Sequence, residues 1–166
     1  MFSLSVIKKH NLRFNIELSN GEDGLFVFQY LNKADGLLYI SQDDWFISVR
    51  TGSVTRSGFN EKLNTGLIAI EEMLRNVPQS NTLLKEALEV FLVEKTISLE
   101  FRMLQSDFNS KKILDEYRIR LRKYGSVYLR NNKAKKKMVW LLMTFSPCIV
   151  CKWICKYKGK RSDANN

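Results

Sequence analysis

From Asn60 to Tyr124, apolar side chains recur every three or four residues, a period that leaves little choice of secondary structure. Leu63, Leu67, Ile70, Met73 and Leu74 form a first row, which Pro78 closes. Leu84, Leu88, Phe91, Leu92 and Leu99 form a second, with Ser80 or Asn81 placed to cap its start. Ile113, Leu114, Tyr117, Leu121 and Tyr124 form a third, predicted to start near Asp107 or Ser110 and to break at Gly125. Each row puts its apolar residues on one side of a helix, so the middle of the chain is predicted to be a set of helices packed through those faces.

The first third is less regular. Residues 3–10 read as a short helical turn and Asn15 to Asn20 as a polar loop. Gly21-Glu22-Asp23-Gly24 then opens an apolar stretch, Leu25 to Leu31, of helical length, with Gly36 as a C-terminal stop. Leu37 to Ile40 and Trp45 to Val49 read as two strands on either side of a turn at Asp43-Asp44. The expected class is therefore α+β, mostly helical.

With 45% hydrophobic residues, 166 residues can bury the core of one ordinary domain, and two prolines and eight glycines argue against a long disordered linker. The three cysteines are crowded at 148, 151 and 155, a poor layout for a disulfide framework. Their helical spacing puts them on one face, but no fourth ligand is near and the single histidine is His10, so no metal site is expected. With no signal-peptide pattern at Met1, a reducing, cytoplasmic setting is expected.

Charge divides the chain. Residues 1–110 carry 11 Lys/Arg and 14 Asp/Glu, while residues 111–166 carry 16 and 3. The basicity belongs to the tail, which disfavours a nucleic-acid-binding domain. Within that tail, Lys135, Lys136 and Lys137 precede fourteen uncharged residues, Met138 to Cys151, and further lysines follow. Fourteen residues of helix cover about 21 Å, short of a bilayer core of about 30 Å. The segment is therefore expected to lie on an anionic membrane surface, with the lysines at head groups and Trp140 and Trp153 at the interface. A buried C-terminal helix with a solvated lysine face is the alternative.

Residues 2–59 carry a more specific pattern. Phe2, Ile7, Lys8-Lys9-His10-Asn11, Arg13-Phe14, Gly21-Glu22-Asp23, Phe26, Tyr30-Leu31, Tyr39-Ile40, Trp45-Phe46, Arg50 and Gly52-Ser53-Val54-Thr55-Arg56-Ser57 follow in a fixed order. Together they resemble the second half of the family-two, GT-A-type bacterial glycosyltransferases of capsule and exopolysaccharide gene clusters. The resemblance implies that Asp23 is the general base that deprotonates the acceptor hydroxyl for inverting transfer. It implies that Glu22 holds the acceptor, and that Arg50, Ser53 and Thr55 lie on a loop over the active site. The family often carries a second arginine two positions before Arg50, where this chain has Ser48.

The same resemblance implies what other residues would have to supply. No Asp-x-Asp occurs in the chain, so the divalent metal and the sugar nucleotide are expected only with a missing N-terminal, Rossmann-like half. On this reading residues 1–58 are the acceptor-side remnant of the catalytic domain, 59–130 a helical extension and 131–166 a membrane-surface tail. The chain would be the truncated C-terminal portion of a GT-A enzyme, inactive alone. Its partners would be the missing half, a saccharide acceptor (lipid-linked in the simplest case) and the inner face of the cell membrane. A non-enzymatic, membrane-associated adaptor is the alternative function.

Overall fold

The structure, a computed structural model, describes residues 2–38, 58–106, 108, 110–146 and 149. These residues are mostly helical, and no strand occurs among them. Leu37 and Leu38, the described part of the first expected strand, have no regular structure; the second expected strand lies outside the described residues. The chain divides into two compact units.

Unit one comprises residues 1–57 and 61–76. Helix α1 (Leu4–Lys9) is a short turn of helix, and α2 (Glu22–Leu31) is the apolar stretch of the sequence. α2 ends at Leu31 with Asn32 as its cap, five residues before the expected stop at Gly36. A 3₁₀ turn (Glu61–Asn64) leads into α3 (Thr65–Asn76), which packs along α2. Leu63, Leu67, Ile70 and Met73 of the first apolar row are all buried. α3 therefore belongs with α2, although the sequence groups it with the helices that follow.

The start of the chain is held against α2 by aromatic packing. Leu12, Phe26 and Tyr30 form a small core, with Val6, Ile7 and Ala34 against it. Phe14 stacks on Phe26 at 4.3 Å, and Phe2 meets Phe26 and Tyr30 edge-on at 5.5 and 4.8 Å. The Tyr30 hydroxyl accepts the backbone N–H of Ser3 at 2.8 Å, which gives the buried ring a polar partner.

Unit two comprises residues 58–60 and 77–166. Its described helices are α4 (Thr82–Leu104), α5 (Lys111–Asn131) and α6 (Ala134–Phe145). Of the two candidate caps of α4 the structure uses Asn81, whose side chain accepts the N–H of Leu84 at 3.1 Å, and of the two candidate starts of α5 it uses Ser110, which accepts the N–H of Ile113. α4 and α5 run antiparallel, as a short connection between neighbouring helices requires. Surface ion pairs join α5 to α4 through Arg130 and Glu86 (2.6 Å) and α6 to α4 through Lys136 and Glu94 (2.5 Å).

The core of this unit holds Val93, Leu121, Tyr128, Trp140 and Met143. Gly125 does not break α5. It lies mid-helix beneath the Trp140 ring, where an added methyl group would overlap the indole. The absent side chain makes room for a large ring from the next helix, so a residue of low helix propensity is kept for packing.

One polar group sits oddly in this core. Glu100 is completely buried, and among the described residues neither of its carboxylate oxygens has a hydrogen-bond partner. Burial raises its pKa from the usual 4.5 to about 7, with the Arg118 charge pulling the other way. Removing a carboxylate from water penalises its charged form, so the site favours the neutral acid.

Candidate functional site

Glu22 and Asp23 are the first two residues of α2, as the Gly-Glu-Asp-Gly sequence suggests. Acids in a first turn are stabilised by the free N–H groups and the positive end of the helix dipole. Asp23 is exposed, and its Oδ1 accepts the N–H of Gly24 at 2.7 Å; Glu22 is half-buried. One carboxylate thus faces solvent from a fixed helix start.

What fixes that start is the packing behind it. Gly21, the residue before α2, has φ of +86°, a left-handed conformation that favours glycine. A Cβ there would also lie 3.0 Å from the Ala69 methyl and 3.2 Å from Gly66 Cα, so two backbones approach closely at this point. The preceding loop is pinned to the same place. The Thr65 hydroxyl accepts the N–H groups of Ser19 (3.1 Å) and Asn20 (2.9 Å), and the Asn20 amide donates to the Leu63 carbonyl at 3.2 Å. Asn20, Thr65 and Gly66 are absent from the sequence-based site. The only signal for them is a glycine inside a helical pattern, which often marks close backbone approach.

A groove of about 460 Å³ lies in unit one beside the C-terminal half of α2. Asn11, Arg13, Gln29, Asn32 and Glu72 surround it, with the Phe28 ring in its wall. Amides, charged groups and an aromatic face can satisfy a polyhydroxylated molecule. Asn11 has φ of +47°, a conformation that asparagine adopts more readily than most residues.

Arg50, Ser53 and Thr55 lie outside the described residues, as do Trp153 and the three cysteines as a set. Among the described residues, no three His, Cys, Asp or Glu side chains are grouped so as to hold a metal ion.

Lys135, Lys136 and Lys137 are in the first turns of α6. Lys135 is exposed, Lys137 half-buried, and Lys136 is held by Glu94. Trp140 corrects the sequence-based expectation. Only 7% exposed, it donates its indole N–H to the Leu121 carbonyl at 3.1 Å, so its ring is part of the core and its polar edge is satisfied inside the protein. It is not available as an interfacial anchor.

No family model matches the chain, and no curated protein or solved structure matches it.

Proposed function

We propose that this chain is the acceptor-side part of an inverting, sugar-nucleotide-dependent glycosyltransferase of the GT-A kind, with Asp23 as its general base. The ordered pattern from Phe2 to Ser57 carries this reading, and the exposed carboxylate of Asp23 at a rigidly seated helix start is compatible with it. A base must reach the acceptor hydroxyl within hydrogen-bond distance, so it gains from being held by backbone contacts such as Gly21 on Gly66. Glu22 orients the acceptor, and the amide-lined groove beyond it offers hydroxyl partners to a saccharide. Arg50, Ser53 and Thr55 follow on the loop that closes the site, the arginine offsetting charge on the leaving diphosphate. The donor nucleotide and a divalent metal would be held by residues other than these, since no Asp-x-Asp is present.

The test is Asp23→Asn in the chain assembled with a donor-binding half, reading release of nucleoside diphosphate. Loss of a general base lowers turnover by about 10²–10⁴-fold, with the helical circular dichroism unchanged. Unchanged turnover would remove the base assignment, and sugar transfer by the isolated chain would remove the need for a second half.

A second reading is a membrane-associated adaptor without catalysis. The bond from Gly24 N–H to Asp23 favours it, because a local contact of this kind is what a helix-starting acid makes for stability alone. Replacing Asp23 would then affect only folding, by about 0.3–1 kcal/mol.

A further inference from the structure

Helix α6 is apolar around its whole circumference from Met138 to Phe145, and the described residues of unit two cover only one side of it. Trp140, Met143 and Thr144 face inward and are buried. Met138 (60% exposed), Leu141 (49%) and Phe145 (61%) recur at spacings of three and four on the opposite side, with Leu142 and Val139 next to them. A helix that is apolar all round is ordinarily buried on all sides. Here half of that surface faces outward, continuous with an apolar groove of about 370 Å³ between α4 and α6, lined by Ile97, Phe101, Val139 and Leu142. Contiguous apolar surface of this kind marks an interaction site.

The charges around the patch say what covers it. Lys133, Lys135, Lys136 and Lys137 cluster at the N-terminal end of α6, the end where a helix dipole disfavours cations. Their placement works against the stability of the helix and suits an anionic partner. Of the four, Lys136 is committed to Glu94, which leaves Lys133, Lys135 and Lys137 for that partner. At the other end, the Arg122 guanidinium lies 5.8 Å from the Phe145 ring, so a cation borders the apolar face there as well. Among the described residues no helix is long and apolar enough to cross a membrane. An apolar stripe rimmed by cations on such a helix fits the plane of a bilayer interface, where acyl chains take the stripe and anionic phosphates take the rim.

We propose that the outer face of α6 is a bilayer-docking surface, in which Met138, Leu141, Leu142 and Phe145 enter the acyl boundary of an anionic membrane while Lys133, Lys135 and Lys137 meet its phosphates. This goes beyond the transferase reading and stands without it. It also differs from the sequence-based tail, because Trp140 belongs to the core and Lys136 is paired with Glu94 at the surface.

The test is co-sedimentation of the full chain with vesicles of phosphatidylcholine alone or with phosphatidylglycerol. Binding is expected to the mixed vesicles and to fall steeply with salt. Met138→Glu/Phe145→Glu should lower the partition coefficient at least tenfold, with the helical circular dichroism and melting temperature of the parent chain. Lys133→Gln/Lys135→Gln/Lys137→Gln should weaken binding to mixed vesicles and leave the residual binding independent of phosphatidylglycerol. Leu83→Glu, on an exposed apolar residue of α4 away from the patch, should bind like the parent. Absence of binding by the parent chain overturns the proposal, as does equal binding by the Met138/Phe145 variant. A lipid-free, concentration-dependent dimer abolished by that variant also overturns it, since a second copy would then be the occupant. Should the glutamate variant misfold, the lysine variant decides.

Discussion

The two units hold their shape in different ways. Unit one adds to its buried apolar side chains close backbone approach and single polar atoms at the start of α2: Gly21 against Gly66 and Ala69, and one Thr65 hydroxyl serving two N–H groups. Unit two depends on side-chain volume, with Tyr117, Leu121, Leu92, Val93 and Met143 essentially inaccessible. Backbone contact fixes position sharply and tolerates little change. Among the described residues, unit two also holds a Glu100 whose carboxylate oxygens have no hydrogen-bond partner, and one face of its helix α6 is exposed.

The sharpest break of this contrast is Trp140→Ala. If the ring is core, its removal should cost about 3–5 kcal/mol, as for other buried aromatic truncations, read from urea unfolding. An interfacial anchor would instead leave stability nearly unchanged and weaken vesicle binding.

Next comes the pH dependence of unit two. The folded-state pKa of Glu100 lies above its unfolded value, so the native state binds the proton more tightly. The contribution of this group to stability is therefore fully present below about 4.5, declines as the pH rises, and is gone above about 7. The difference between parent and Glu100→Gln isolates it from the other carboxylates. The variant should gain up to about 3 kcal/mol relative to the parent between pH 4.5 and 8, at 1.36 kcal/mol per pKa unit. A pH-independent difference would mean that the carboxyl finds a partner.

The smallest effects sharpen the comparison within unit one, where two glycines of one tetrapeptide should respond with opposite signs. Gly21→Ala places a methyl at positive φ against Ala69 and should cost about 1–3 kcal/mol. Gly24 is inside α2, and a Cβ there meets only the end of Met73 at 3.5 Å. Gly24→Ala should stabilise by about 0.5–1 kcal/mol through helix propensity. Thermal melts of the two variants decide. A shared sign would mean that α2 is not seated on α3 as described.

Local rules carried much of this protein. The helical period of residues 63–124, the helix starts to within a few residues at Ser80 or Asn81 and at Asp107 or Ser110, and the opening of α2 at Glu22 are visible in the sequence because each depends on residues within one or two turns of one another. Glu22 and Asp23 as a pair were legible for the same reason. Tertiary structure decided everything that needs a second element. Gly125 has the sequence of a helix break and becomes a seat for Trp140, and Trp140 has the sequence of an interfacial residue and becomes core. Thr65 and Gly66, ordinary in sequence, fix the start of a helix more than forty residues earlier in the chain. The exposed half of α6 likewise has no signature of its own, because an apolar helix reads the same on all sides until its neighbours cover one of them. Periodicity states which residues share a face; only packing states which face meets protein and which is left for something else.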